Sequence, residues 1–438
     1  MKKSVIAGAA AFHIAATVAI YFASAVAPLS HLFPDTVKFQ EQIVIAADVL
    51  RRSGVGAWFF ALLPFHVKLY AFCFGLFGSL TSFSILWCEP LNALYYVGIL
   101  YLIFTMSRWL FGMRAALATA VVIGVWPSFL AHTTQPLKDS LFVALGLLFL
   151  ALSSMWLVRE YSRKRTLVVA VVGSVTEFLL WVVKSDMWEI MIAAAALSFV
   201  FLLMKMMRAR KFITANVVGL LVLMVASIVI PRAALLLYRP AETWARNRGV
   251  ASLYTEPPPP AGVTPQPLDL APRLVIASRI SMLRHRFIII YEGAGSNIDT
   301  HVEFHNTSEI VKYLPRAALI GLFAPFPNMW FETGSQNGKL GRIIGGAETL
   351  ALYFFEAMAI VGLWHRRRVL LAWWLMLVAL SGCVALGLVV TNVGAIYRMR
   401  YIFIMLIVIL GIDGIRQGVS YFPLLKRRFS PPATAGIA

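Results

Sequence analysis

Long apolar runs alternate with short charged turns along most of the chain. A run of about 20 apolar residues has the length of a helix that crosses a bilayer. The predicted spans cover residues 4–28, 82–107, 114–133, 140–158, 166–184, 188–206, 213–236, 345–364, 369–391 and 397–418. The pattern therefore predicts an all-α polytopic membrane protein with about ten transmembrane helices.

Two further apolar stretches, 57–80 and 313–331, are predicted not to cross the membrane. Each is broken by proline and carries charge, with His66 and Lys68 in the first and Arg316 in the second. These features are typical of interfacial or re-entrant helices, here at the outer face. The alternative is twelve spans, which would place some basic loops outside.

The charged clusters set the predicted orientation. Basic residues gather at 2–3, 108–114, 159–165, 205–211, 366–368 and 416–428. Placing all six clusters in the cytoplasm follows the usual bias of short loops and puts both termini there. Only two acidic residues, Glu160 and Asp413, then fall on the cytoplasmic side, so polar chemistry gathers at the outer face.

Composition supports a membrane protein and narrows its partners. The chain has 438 residues, of which 60% are hydrophobic and 13% are charged, whereas a soluble protein carries about a quarter charged residues. The net charge of +19 is explained by the topology, so a lipid bilayer is the predicted partner and nucleic acid is not. The three cysteines have no spacing typical of a disulfide framework or a zinc site.

Three segments follow from this topology. Residues 1–236 form an N-terminal membrane module, with a first outer loop at 29–81. Residues 237–344 form a large outer-face loop, in which a proline-rich linker at 256–267 precedes interfacial helices. Residues 345–438 comprise C-terminal membrane helices and a basic cytoplasmic tail. The N-terminal apolar run exceeds a usual signal-peptide core, so it is predicted to remain as the first span.

The candidate catalytic residues lie in short outer turns. The turn 126–140 holds Lys138 and Asp139 between two apolar runs, and Asp35 follows the first span directly. Charges at the mouth of a membrane span usually pair or face a polar cavity. Each aspartate is alternatively a helix cap, and this alternative stays open. A carboxylate at the membrane edge is also suited to act as a general base.

Six further residues are predicted to bind substrate at the outer face. Two occupy the charged turn between the fifth and sixth spans, one lies on a basic amphipathic helix, one begins a glycine-rich turn, and two close the last outer turn. They are Lys184, Asp186, Arg284, Glu292, Arg398 and Arg400. Arginines at an outer end break the usual bias, which indicates an anionic partner. That partner is either lipid headgroups or a substrate phosphate held by the guanidinium fork.

The order of several short motifs resembles the GT-C membrane glycosyltransferases of the family 39 type, which include protein O-mannosyltransferases and the lipid A aminoarabinose transferase. The motifs are Asp35, Leu-Phe-Gly at 76–78, Arg-Trp-Leu-Phe-Gly at 108–112, Trp-Pro-Ser at 126–128, Lys138-Asp139 and Asn392-x-Gly394-x-x-x-Arg398-x-Arg400. This resemblance implies a GT-C-like fold and a polyprenyl-phosphate sugar donor used at the outer face, with a first-loop carboxylate as base. The chain departs from the family in having a lone Asp35 where paired acids are common, and in lacking a WWDYG motif.

The predicted reaction is an inverting glycosyl transfer to an outer-face glycan, lipid or protein, in cell-surface glycan or exopolysaccharide assembly at a bacterial inner membrane. Asp35 would deprotonate the acceptor, and Arg398, Arg400 and Lys138 would stabilise the leaving phosphate. No cofactor is implied. A divalent metal is possible, but no acidic cluster in the sequence is dense enough to indicate a metal site. The alternatives are a Wzy-like polysaccharide polymerase and a non-enzymatic lipid or glycan transporter.

Overall fold

The computed structural model describes residues 1, 3–26, 34–61, 63–75, 85–247, 276–332 and 338–421. Side chains at 23–26, 34–35, 75, 85, 234–247, 276 and 419–421 lie outside this description, as does the proline-rich linker. The regular elements in the described ranges are all helices, and a single β-bridge pairs Asn297 with Asn392. The chain is therefore all-α, as predicted.

The described N-terminal part of the chain contains nine α-helices. They are α1 Lys3–Val26, α2 Pro34–Phe60, α3 Phe65–Gly75, α4 Glu89–Gly124, α5 Pro127–Thr133, α6 Lys138–Val158, α7 Arg163–Val183, α8 Trp188–Ala209 and α9 Thr214–Asn247. The described C-terminal part adds α10 Ile276–Ile290, α11 Thr307–Phe323, α12 Gly338–His365, α13 Leu370–Val389, α14 Val393–Met399 and α15 Tyr401–Tyr421.

Nine segments of the described chain are long and apolar enough to cross a membrane, which confirms a polytopic membrane protein. They are Lys3–Phe22, Leu86–Gly124, Lys138–Val158, Arg163–Val183, Ser185–Ala209, Thr214–Ala233, Gly338–His365, Leu370–Val389 and Tyr401–Gly418. The two stretches predicted not to cross are absent from this set. In them lie α3, which has 11 residues, and most of α11, which has 17 residues.

The second segment, Leu86–Gly124, contains a reversal of the chain. Gly112 has φ 79 and ψ −175, a backbone conformation that glycine adopts without steric cost. The Tyr96 hydroxyl donates a hydrogen bond of 2.8 Å to the Gly124 carbonyl, although a straight helix would separate these residues by about 42 Å. The two arms of α4 therefore run antiparallel, and the segment holds the second predicted span and the start of the third.

The third predicted span, 114–133, is interrupted between Gly124 and Pro127, before the turn that leads into Lys138 and Asp139. Pro127 lacks a backbone N–H, and Trp126 before it is extended, with φ −66 and ψ 114. The helix therefore ends at Gly124 and restarts as the seven-residue α5. The break turns α5 and the following turn, 134–137, away from the direction of α4.

Two central helices carry the site. The residues of α6 and α15 are mostly buried, whereas α1 lies at the periphery. The start of α6, the turn between α7 and α8, and α14 lie at the same end of this core, because their side chains contact one another. The segment α11 packs against α13 so closely that a Cβ on Gly321 would lie 1.9 Å from the Cys383 carbonyl oxygen.

At another part of the molecule, the acids predicted to be cytoplasmic pair with the basic clusters predicted to share that side. Lys211 Nζ lies 2.8 Å from a Glu160 carboxylate oxygen. Arg366 Nε lies 3.0 Å from Asp413 Oδ2, and Asp413 is fully buried. Each of these two contacts joins an acidic residue to a basic residue that the sequence analysis assigns to the same side.

Candidate functional site

Three segments that are distant in sequence bring charged side chains to Asp139, in the first turn of α6. Lys184 Nζ, from the turn after α7, lies 3.5 Å from Asp139 Oδ1. Arg398 Nη1, from α14, lies 3.8 Å from Asp139 Oδ2. The side chains of Asp139, Lys184 and Arg398 are only 8%, 10% and 21% exposed. The structure therefore joins three of the predicted site residues into one buried charged cluster.

The cluster carries more positive than negative charge. Lys138 adjoins Asp139 in sequence, is half-buried, and has no hydrogen bond or ion pair with a described residue. Three cations thus surround one carboxylate. Burial lowers the pKa of Lys184 to about 8, an effect that Asp139 opposes and that Lys138 and Arg398 increase. Since two unit charges 4 Å apart interact by about 4 kcal/mol at an effective dielectric of 20, an anion brought to this cluster would be strongly favoured.

A histidine from α3 lies beside this cluster. His66, on α3, is 2% exposed, and its ring packs edge-on against Phe39 at 4.5 Å. Burial and the nearby charge of Lys138 lower the pKa of His66 to about 3, so the ring is neutral at physiological pH. Its Nε2 atom has no hydrogen-bond partner in the part of the chain that the structure describes. The sequence had identified this residue only as a charge that argued against a span.

The position of Asp35 is known through its backbone. It lies in the first turn of α2, and its side chain is outside the described part of the chain. The next residue, Thr36, donates a hydrogen bond to Gln135 Oε1, and Gln135 Nε2 donates to the Ala131 carbonyl at 2.9 Å. The start of α2 therefore lies against the turn that leads into Lys138 and Asp139.

A second polar network connects α5 to α12, α14 and α15. The Ser128 N–H donates to Glu348 Oε1 at 2.6 Å, and the Tyr397 hydroxyl donates to Glu348 Oε2. The Tyr401 hydroxyl donates to Ser128 Oγ at 2.7 Å, and His132 Nδ1 donates to the Ser128 carbonyl at 2.5 Å. Sequence reasoning missed Glu348, although a carboxylate within an apolar helix is itself a signal of function.

The network borders an apolar cleft with an empty volume of about 380 Å³. The lining residues are Ile123, Trp126, Phe129, Glu348, Thr349, Leu352, Tyr397, Tyr401, Ile404, Met405 and Val408. Most of these side chains are apolar, and Tyr397 is the neighbour of Arg398 in sequence. The cleft therefore lies between α4, α5, α12, α14 and α15.

The other end of α5 is held by residues that the sequence analysis also missed. His13 Nδ1 lies 2.6 Å from Glu89 Oε1, and His13 Nε2 lies 3.1 Å from Thr133 Oγ1. Thr17 donates to the second oxygen of Glu89 at 2.7 Å. All four groups are buried. This network fixes the last turn of α5 to α1 and α4.

Arg400 lies apart from the Asp139 cluster. It is fully buried, and its Nη1 donates to the Gly321 and Leu322 carbonyls at 3.1 and 2.7 Å. Its guanidinium carbon lies 5.2 Å from the centre of the Tyr397 ring, and its Nε and Nη2 atoms have no hydrogen-bond partner among the described residues. Arg400 thus attaches the last turn of α11 to the segment that carries Arg398.

The remaining predicted residues occupy different environments. Arg284 is buried, and its three nitrogens donate to the carbonyls of Asp299, Val302 and Leu388 at 2.6, 3.1 and 2.9 Å. Its guanidinium therefore fixes the loop after α10 to the end of α13. Glu292 is exposed after the end of α10. Asp186 lies two residues after Lys184 and accepts a hydrogen bond of 3.3 Å from Arg286.

The glycine-rich turn and the last outer turn, which the sequence treated separately, contact each other. Asn392 Nδ2 donates to Ser296 Oγ at 3.0 Å and to Asn297 Oδ1 at 2.9 Å. Its Oδ1 atom accepts from the Ala395 N–H at 3.0 Å, which caps α14. Asn392 therefore sets the position of the short helix that presents Arg398.

The cluster does not fit a divalent cation. No group of three or more His, Cys, Asp or Glu side chains that could hold a metal is found among the described residues. Both oxygens of Asp139 face cationic nitrogens, which would repel a metal ion. We therefore derive no step through a metal.

No family model and no curated protein match the chain. Among solved structures it is similar to ArnT from Cupriavidus metallidurans bound to undecaprenyl phosphate, with 14% identity and a TM-score of 0.36 over 96% of this chain and 81% of that chain. The apo state of that protein gives 14% identity and a TM-score of 0.34, over 90% and 76% of the two chains. ArnT is a GT-C aminoarabinose transferase, one of the proteins that the sequence motifs resemble. With scores this low, we take no residue role from the likeness.

Proposed function

We propose that this integral membrane protein is a glycosyltransferase that moves a sugar from a polyprenyl-phosphate carrier to an acceptor at the outer face. The observation that carries the proposal is the convergence of Lys138, Lys184 and Arg398 around Asp139 at the ends of the spans. An excess of buried cations at a membrane edge suits a lipid-linked phosphate, because a phosphate group offers several acceptor oxygens to guanidinium and ammonium donors.

In the proposed reaction, the acceptor hydroxyl oxygen attacks the anomeric carbon from the face opposite the phosphate. The bond between that carbon and the phosphate oxygen breaks, and polyprenyl phosphate leaves with the electron pair. Asp35 takes the proton of the acceptor hydroxyl. Arg398, Lys184 and Lys138 stabilise the charge that develops on the leaving phosphate, and this stabilisation is the main electrostatic requirement of the step.

Asp139 has an orienting role in this scheme. Each of its oxygens faces one cation, so it holds Lys184 and Arg398 at a fixed separation while leaving a net positive charge for the substrate. Asp186 supports Lys184 from the neighbouring position. Arg400 and Arg284 do not contact the substrate in this scheme. They hold α11 and the loop after α10 in place.

The adjoining cleft supports a lipid-linked donor over a free sugar nucleotide. Its walls are largely apolar, and it begins beside Tyr397 and continues between α12 and α15. An isoprenoid chain gains about 25 cal/mol for each Å² of apolar surface that leaves water or a polar interface. We propose that the phosphate binds at the cation cluster at the outer face of a bacterial inner membrane, with both termini in the cytoplasm.

The proposal includes an outer-face acceptor and a role in cell-surface glycan assembly. One experiment tests its central claim, the transfer of sugar from a polyprenyl-phosphate donor. Purified protein in lipid nanodiscs is incubated with a radiolabelled sugar on polyprenyl phosphate and with a mixture of outer-envelope lipids and glycans. Sugar transfer that is lost in Asp139→Asn and retained in Asp48→Asn, a change at an exposed carboxylate on α2, supports the proposal. Transport of the intact lipid without cleavage of the sugar bond would contradict it.

A further inference from the structure

Glu348 occupies an unusual position for a carboxylate. It lies on α12 within a candidate membrane span, is 6% exposed, and has both oxygens engaged. Oε1 accepts the Ser128 N–H at 2.6 Å, and Oε2 accepts the Tyr397 hydroxyl. These partners belong to α5 and α14, which are separated by more than 250 residues in sequence. Glu348 thus accepts hydrogen bonds from both α5 and α14, and a contact of 3.3 Å between Ser128 Oγ and the Tyr397 hydroxyl joins the same two helices.

Glu348 supplies a hydrogen-bond acceptor that the start of α5 lacks. The first N–H groups of a helix lack acceptors within the helix. Pro127 has no N–H, and Trp126 at the N-cap position offers no side-chain acceptor. The Ser128 N–H therefore depends on Glu348, a group from another helix. A negative charge at this end also interacts favourably with the helix dipole, so the contact stabilises both the start and the orientation of α5.

The Glu348 carboxylate also binds Tyr397, the residue next to Arg398, which is proposed to bind the phosphate. Tyr397 immediately precedes Arg398, and its hydroxyl is held between Glu348 and Ser128 Oγ, the latter at 3.3 Å. The short helix α14 has seven residues, and its N-terminal end is capped by Asn392. The Tyr397 hydroxyl adds a contact toward its C-terminal end. The orientation of Arg398 toward Asp139 depends on how α14 is held, because Tyr397 and Arg398 lie on the same short helix.

We propose that Glu348 is a positioning residue of the transferase reaction, which sets the geometry of Arg398 by holding Tyr397 against the start of α5. The inference rests on the proposed function and adds a residue that neither the motifs nor the charged cluster identifies. Glu348 does not touch the substrate in this scheme. It acts through Tyr397 on the group that receives charge when the sugar–phosphate bond breaks.

The test compares Glu348→Gln with Glu177→Gln in sugar transfer from the polyprenyl-phosphate donor. Glu177 is a matched control, because it is also buried in a span and accepts a hydrogen bond from one hydroxyl, that of Ser227. The amide at position 348 keeps an acceptor for the Ser128 N–H but no longer attracts the Tyr397 hydroxyl as a carboxylate does. We expect kcat to fall about 10- to 100-fold in Glu348→Gln, as for other misplaced catalytic groups, with donor KM within about threefold.

Two further variants distinguish positioning from general stability. Tyr397→Phe removes the hydroxyl that donates to Glu348. If the two residues act through this one contact, the double variant Glu348→Gln/Tyr397→Phe should lose little more activity than either single variant. Glu348→Asp should recover part of kcat, because the charge is kept. Wild-type kcat in Glu348→Gln, an equal loss in Glu177→Gln, or additive losses in the double variant would overturn the inference. The proposed function fails separately, if the wild-type protein itself transfers no sugar from the donor.

Discussion

Arg398→Lys is the substitution that tests the phosphate site most directly. Arg398 Nη1 lies 3.8 Å from Asp139 Oδ2, and the side chain is 21% exposed. A lysine at this position keeps the positive charge, so the Coulomb attraction of about 4 kcal/mol at 4 Å and an effective dielectric of 20 is largely retained. It cannot reproduce the planar pair of N–H donors that a guanidinium offers to a phosphate.

The expected size of the effect follows from the lost hydrogen bond. A hydrogen bond to a charged group contributes about 1.5–3 kcal/mol, and each 1.4 kcal/mol corresponds to a factor of ten. We therefore expect kcat/KM for the polyprenyl-phosphate donor to fall about 10- to 100-fold in Arg398→Lys. If the residue only supplied positive charge, the lysine variant would keep nearly full activity.

The assay measures initial rates of sugar transfer in nanodiscs at matched protein amounts. Arg279→Lys is the control, because Arg279, on α10, pairs with Glu189 and both side chains are at least one-third exposed. Arg400→Lys should instead lower the melting temperature together with activity, since Arg400 Nη1 holds two carbonyls of α11. Unchanged kcat/KM in Arg398→Lys would refute the assignment of Arg398 to the leaving phosphate.

Three further outcomes are expected. Asp35→Asn should reduce the rate of sugar transfer about 10²- to 10⁴-fold at unchanged expression, whereas Asp48→Asn on the same helix should not. If Asp35→Asn transfers sugar nearly as fast as the wild-type protein, Asp35 is a helix cap and not the base. With a pKa of about 8, Lys184 is protonated below that pH, so kcat/KM should fall as pH rises through about 8, and Lys184→Arg should move this limb to higher pH. Glu292→Cys should react with an impermeant thiol reagent in intact cells and Arg163→Cys only after permeabilisation, and the reverse pattern would overturn the topology.

The sequence by itself determined the class and the frame of this protein. Apolar runs of spanning length have no stable alternative to helices in a membrane, because every backbone polar group must be satisfied within the segment. Charge bias in short loops predicts which clusters share a side, and Glu160 and Asp413 each contact a basic residue assigned to their own side. The side of the membrane on which they lie stays a prediction. The proline-broken stretches were also recognisable, since a helix of 11 residues is too short to cross.

The site was predictable only in part, because contacts between distant residues are not encoded in local spacing. Lys138, Asp139, Lys184 and Arg398 were identified as charges at the mouths of spans, and their convergence required the packing of α6, α7 and α14. Arg284 and Arg400 have the same local character as Arg398, yet their guanidinium groups donate to backbone carbonyls. Sequence shows that an arginine needs a partner, and the fold decides which partner it receives.

Tertiary structure alone decided the roles of the buried polar groups. Glu348, His13 and Glu89 lie in or beside apolar helices and belong to no recognisable motif, yet they fix both ends of α5. Burial makes an unpaired polar group costly, so each must meet a complementary group from another helix. Which helix supplies it depends on the reversal at Gly112 and the break before Pro127, and these two backbone features bring α5 to the centre of the site.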